Sequence, residues 1–140
     1  MTTPLSIRFD ATLLARLRRR TAATAGSTAS GLAQRLIDEG LRMADHPGVI
    51  FKDGPSGRRA ALAYGPDIWE VIMFLREVDE RGPAALDAAA EVFAVDASRI
   101  STAVSYYADY RDEIDTEIGD SDEASARAEE AWRVQRQLIA

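Results

Sequence analysis

Arg8 and Ser6 are hydrogen-bonding side chains of the segment "LSIRFD", where they alternate with Leu5, Ile7 and Phe9 ahead of Asp10. A period of two puts the apolar three on one face of a strand and the polar pair on the other, so one short stretch offers both a core face and a polar face. Arg16, Arg18, Arg19 and Arg20 follow closely. Guanidinium groups neutralise phosphates by releasing condensed counterions, although a charge run standing alone is usually the solvated face of a helix. The distribution of charge favours the first use. Residues 1–46 carry seven arginines against Asp10, Asp38, Glu39 and Asp45, a balance of +3, in a chain whose formal charge is −6. The other 94 residues carry ten basic and nineteen acidic side chains, a balance of −9. Halves of opposite sign suit different partners, and only the basic one is compatible with a polyanion.

Other chemistry is scarce. The chain has no cysteine, which removes disulfides, thiolate ligands and a thiolate nucleophile. His46 is the single histidine, so neither a Ser-His-Asp triad nor a His-based metal cluster can be built. The pairs Asp112/Asp115 and Glu113/Glu117 have helical spacing that can hold a divalent cation, but such spacing ordinarily marks a solvated face. Gly54 and Gly57 lack the Lys-Ser/Thr that a phosphate loop requires. The expectation is a protein that is not an enzyme, with no catalytic residues, no cofactor and no metal.

Elements must position the polar face, and the sequence marks them. Asp10 is suited to cap a helix beginning at Ala11, with Leu13, Leu14 and Leu17 on its buried side. Gly26 ends that helix. Ser27 or Thr28 caps a second one through Leu41, in which Leu32, Leu36, Ile37 and Leu41 recur at helical spacing. Strand, helix, helix in about 40 residues buries too little apolar surface to stand alone, and its single strand has nothing of its own to pair with. Dimerisation supplies the second strand, and Leu5, Ile7, Phe9, Leu13, Leu17 and Leu36 form the expected dimer core.

With "LSIRFD", the leucine-bearing first helix and "GSTASGLAQRLIDEGL" in view, residues 4 to 44 resemble the ribbon-helix-helix family of dimeric DNA-binding proteins, to which the Arc, MetJ and CopG repressors belong. The resemblance implies an antiparallel ribbon that enters the major groove of double-stranded operator DNA. By position, Ser6 and Arg8 would contact bases, with Thr2 a weaker candidate; a guanidinium meets guanine O6 and N7 bidentately. It also implies phosphate contacts at the start of the second helix, at Ser27, Thr28, Ala29 and Ser30, where exposed amides and the helix dipole favour an anion. Pro4 cannot donate a ribbon hydrogen bond, which shortens the ribbon.

His46-Pro47-Gly48 marks a boundary. "VIFKDGPSGRRAALAY" predicts a hairpin turning at Asp53 to Gly57, and "DIWEVIMFLREV" an amphipathic helix whose Ile68, Trp69, Ile72, Met73 and Leu75 face a core. Residues 84–110 have the pattern of a helix-turn-helix: Ala90 where helices touch, Ala94 where glycine is usual, Asp96 as a cap and Ile100 as an anchor. Its second helix offers Arg99, Ser101, Thr102 and Ser105, but Asp87, Glu91, Asp96 and Asp109 outnumber Arg99 and favour packing or protein binding over a second DNA site. In the last stretch Ala124, Ala128, Ala131, Trp132, Leu138 and Ile139 share one helical face, making Trp132, Leu138 and Ile139 candidate partner-binding residues.

From "HPGVIF" to "ISTAVSYYADYRDEIDTEI" the chain resembles a small family of unknown function found in antitoxins, often encoded beside PIN-like ribonuclease toxins. Ala103, Tyr106, Tyr107, Tyr110, Asp112, Glu113, Ile114 and Asp115 carry the resemblance, and the usual "GTR" element stands here as "SGRRAAL". The two resemblances together imply a type II antitoxin that binds its operator as a homodimer and neutralises a toxin, a PIN-like nuclease, through its acidic C-terminal region. A stand-alone repressor whose C-terminal domain senses a ligand or oligomerises competes with it. The expected fold is mainly α: a ribbon-helix-helix domain over 1–46, a hairpin and helical domain over 47–118, and an acidic linker with a C-terminal helix over 119–140. No apolar run reaches the roughly 20 residues of a spanning helix and no signal-peptide core precedes the strand, so a cytoplasmic protein with no membrane partner is expected.

Overall fold

A computed structural model describes residues 1–55 and 57–140. The chain divides into two compact units, Met1–Arg42 and Met43–Ala140, a boundary a few residues ahead of the one expected at 46.

In the first unit residues 1–10 form no regular element within the single chain. The strand expected over Leu5 to Phe9 is therefore absent here, because a lone strand has no ladder partner inside its own unit. Asp10 does what its type predicts. With extended backbone (φ −65°, ψ 155°) its carboxylate accepts the Leu13 N–H at 2.9 Å and opens α1, Ala11–Ala23. After a turn in which Gly26 takes a positive φ of 72°, the Thr28 hydroxyl accepts the Gly31 N–H at 3.0 Å and α2, Ala29–Asp45, begins. The helix runs past its expected end at Leu41 because Arg42, Met43 and Ala44 are good helix formers, and it stops where His46-Pro47-Gly48 breaks the pattern.

The second unit opens with an antiparallel hairpin, β1 (Val49–Gly54) and β2 (Gly57–Leu62), in register from Val49↔Leu62 to Gly54↔Gly57. Of its expected turn, Ser56 lies outside the described residues. Four helices follow: α3 (Ile68–Glu77), α4 (Pro83–Phe93), α5 (Ala97–Asp109) and α6 (Arg111–Ile139). The fold is mainly α with one two-stranded hairpin. Val49, Ala60 and Leu62 from the hairpin meet Ile68, Val71 and Ile72 of α3, Ile100, Ala103 and Tyr106 of α5, and Ile114 and Ile118 of α6 in one core. The expected α3 core is met at Ile68 and Ile72, while Trp69, Met73 and Leu75 pack against its edge, and Val71 joins them fully buried. Ala89 and Ala103 are both fully buried, which lets α4 and α5 approach closely.

The expected helix-turn-helix pattern corresponds to α4, a turn, and α5. Ala94 takes the left-handed conformation (φ 55°, ψ 44°), and the Val95 N–H reaches back to the Ala90 carbonyl at 3.1 Å, a Schellman-type end where glycine is the usual residue. Asp96 occupies the cap position of α5 but makes no capping bond with its side chain. Past Tyr110 the chain does not form the linker expected from 119. α6 is one uninterrupted helix of 29 residues that carries Gly119 in its interior. The acidic residues there are spread around a helix, where solvent satisfies them and the backbone ladder stays intact.

Candidate nucleic-acid interface

The N-terminal unit holds the residues proposed to meet DNA. Ser6 and Arg8 are exposed, as are Arg16, Arg18, Arg19 and Arg20 on α1. At the start of α2, Thr28 and Ser30 are exposed and Ser27 and Ala29 are half-buried. The Thr28 hydroxyl is spent on the Gly31 amide, and its carbonyl accepts the Leu32 amide at 2.9 Å. The amides of Ala29 and Ser30 come before the first i→i−4 acceptor of the helix and point out of its positive end.

The residues named as dimer core lie open in the single chain. Leu5 is 82% exposed, and Ile7, Phe9, Leu13 and Leu36 are also exposed, with Leu17 half-buried. Helix α1 has no buried residue at all. Leu5, Ile7, Phe9, Leu14, Leu17 and Ile37 line an open apolar groove of about 860 Å³ within this unit. An uncovered apolar surface of this extent marks an interaction face.

In the second unit, α5 does not present the polar set expected of it. Ser101 and Ser105 are exposed, but Arg99 is half-buried with Nη2 enclosed, and the Thr102 hydroxyl donates to the Ser98 carbonyl at 3.2 Å. Arg99 thus turns in part toward the body of the unit rather than standing fully exposed.

Part of the set that carries the second resemblance is buried in this fold. Ala103, Tyr106 and Ile114 are fully buried at the α5–α6 corner. The Tyr107 hydroxyl donates to Asp115 at 2.8 Å and accepts from Arg76 at 2.7 Å, and Arg76 also pairs with Asp115 directly. The Tyr107 hydrogen bond, followed by Arg76, holds the Asp115 carboxyl below its ordinary range. His46, 6% exposed, lies 2.8 Å from Asp109 and edge-on to the Tyr106 and Tyr110 rings.

One constellation was invisible in the sequence. Buried Asp67 receives Lys52 at 2.8 Å, Arg59 at 3.1 Å and the Trp69 indole N–H at 3.1 Å. Its members come from β1, β2 and the head of α3, and only the hairpin register brings Lys52 and Arg59 opposite one another. Asp67 stands at the cap position of α3, yet its carboxylate makes no capping bond and serves two cations instead. Glu70 beside it is held above its ordinary range, by burial first and by Asp67 second. Among the described residues no group of three His, Cys, Asp or Glu side chains is arranged to hold a metal ion.

The far half of α6 projects the residues named for partner binding. Trp132, Leu138 and Ile139 are exposed, the last two above 80%, and Arg136 stacks on the Trp132 ring at 4.9 Å. No residue from 122 to 140 is even half-buried. None of the helices is long and apolar enough to cross a membrane, among the described residues. Compared with known proteins, the chain matches no family model, no curated protein and no solved structure.

Proposed function

We propose that the protein is a DNA-binding regulator of the antitoxin type. Two chains pair their N-terminal segments as a ribbon, Ser6 and Arg8 read base edges, and the first-turn amides of α2 hold phosphates. The acidic second unit and the exposed end of α6 bind and neutralise a basic protein, a nuclease on the resemblance to antitoxins. The observation that carries the proposal is the uncovered apolar set Leu5, Ile7, Phe9, Leu13 and Leu36 beside an arginine-rich helix. A second chain would bury that set and leave the alternate face, with Ser6 and Arg8, outward. Two measurements test it. Light scattering is expected to give twice the chain mass, and selection from a random duplex pool to return a two-fold symmetric site. A monomer with no duplex preference removes the proposal. For the second role, co-expression with the product of the adjacent reading frame is expected to give a stable complex and relief of toxicity; an adjacent product that neither binds nor is toxic leaves a DNA-binding regulator without the antitoxin role.

A further inference from the structure

Glu117 lies on the buried base of α6, beside Ile118 and Ile114. Its Oε2 is enclosed, and no hydrogen-bond donor among the described residues reaches it. The side chain borders a groove of about 400 Å³ that Arg59, Trp69, Asp120 and Arg127 also line. An ionised carboxylate oxygen shut away from water without a donor is costly, whereas the protonated acid is far cheaper to enclose.

The groups around Glu117 add to that cost. Glu113 lies one turn back along α6 and Asp120 one turn on, with Glu123 further along. Asp67 acts on it from the head of α3. The opposing cations only partly offset this: Arg59 of β2 acts on Glu117 but also pairs with Asp67, as Lys52 of β1 does, and Arg127 lines the groove. Glu117 is thus an enclosed acid among carboxylates, at the place where α6 leaves the core below Ile118.

We propose that Glu117 is a proton-operated catch: protonated, it lets the carboxyl stay enclosed and α6 lie against α3, and on ionisation it turns outward into the groove and loosens that contact. Burial, then Glu113 and Asp67, push its carboxyl up from the ordinary 4.5 to about 7, so the catch works near neutral pH. Because the folded value lies above the unfolded one, its stabilising contribution is complete below about pH 4.5 and is lost as pH rises through about 7.

Trp69 lines the groove and reports on it once Trp132, the only other tryptophan, is replaced by phenylalanine in the full chain. In Trp132→Phe the Trp69 fluorescence is expected to follow a one-proton transition centred near pH 7. Adding Glu117→Gln is expected to abolish it. His46, the single histidine, is common to both proteins and drops out of the difference. The same transition in the Glu117→Gln protein, or none in its parent, overturns the proposal. Carboxyl carbon-13 NMR of the unmutated chain gives the midpoint without relying on the variant to fold: a value near 7 is expected, and one near the ordinary 4.5 overturns the catch.

Discussion

Arg8 and Phe9 are adjacent, and in the proposed ribbon one-residue alternation would give them opposite duties. Arg8→Ala is expected to leave the dimer folded and to weaken specific binding by about 1–3 kcal/mol, relaxing preference at one base position per half-site. Phe9→Ala is expected instead to weaken dimerisation, with DNA binding lost as a consequence. Titrations against operator and a scrambled duplex, with light scattering on each variant, separate the two; wild-type affinity in Arg8→Ala refutes the strand register. Tyr107 and Asp115 show a different kind of residue-scale dependence. The carboxyl of Asp115 is held low chiefly by the Tyr107 hydroxyl, so the pairing with Arg76 is present above the ordinary carboxylate range and is lost only as pH falls through the depressed value. Tyr107→Phe removes that donor, and carboxyl NMR is expected to show Asp115 moving up toward 3.8. An unmoved midpoint would mean that Arg76 alone sets it.

Helices α4 and α6 carry the predictions that belong to elements. Ala94 pays for a left-handed backbone at the end of α4 that glycine adopts without a Cβ clash. Ala94→Gly is expected to stabilise the second unit by about 1 kcal/mol in urea denaturation, less whatever the unfolded chain gains in freedom. A loss of stability would show that the Cβ makes contacts worth more than the strain. For α6, the fold separates a buried base, with Ile114 and Ile118, from a far half in which every residue is exposed. Truncation after Asp122 is therefore expected to leave the melting temperature within a few degrees of the intact chain while abolishing partner binding, since Trp132, Leu138 and Ile139 go with it. A truncated chain that still binds its partner with full affinity moves the interface onto the hairpin or α3–α5.

At the scale of the whole molecule, charge and oligomeric state decide the behaviour. The +3 balance of residues 1–46 against −9 for the rest predicts that isolated 1–46 binds duplex more tightly than the full chain at low salt. Its affinity is expected to fall linearly on a log–log plot as salt rises, with a slope of about −0.9 per phosphate neutralised. Thermal unfolding of this fragment is expected to shift upward with protein concentration, because a dimer gains stability by mass action. Gel-shift titrations at several salt concentrations and melts over a hundredfold dilution test both. A concentration-independent melt would place the closing of the apolar groove within one chain.

The local chemistry was legible in the sequence because it depends on residues three or four apart. Asp10 and Thr28 cap the helices their types predicted, the hairpin spans the residues its glycine-rich turn required, and Ala94 sits at the αL position of its turn. The alternation in "LSIRFD" has no such counterpart: the single chain forms no strand there, because a strand needs a ladder partner from outside its own segment. Relations between distant residues were not legible. Nothing local marks Asp67 as the counter-ion of Lys52 and Arg59; Arg99 reads as exposed and is half-buried; residues from 119 read as a linker and continue α6. In each case the deciding term is which surface another element covers, and that depends on strand register and helix packing across tens of residues. The enclosure of Glu117 is of the same kind: spacing put it on a helix face with Glu113, but only the packing of α6 beside Trp69 and Arg59 took its Oε2 out of water.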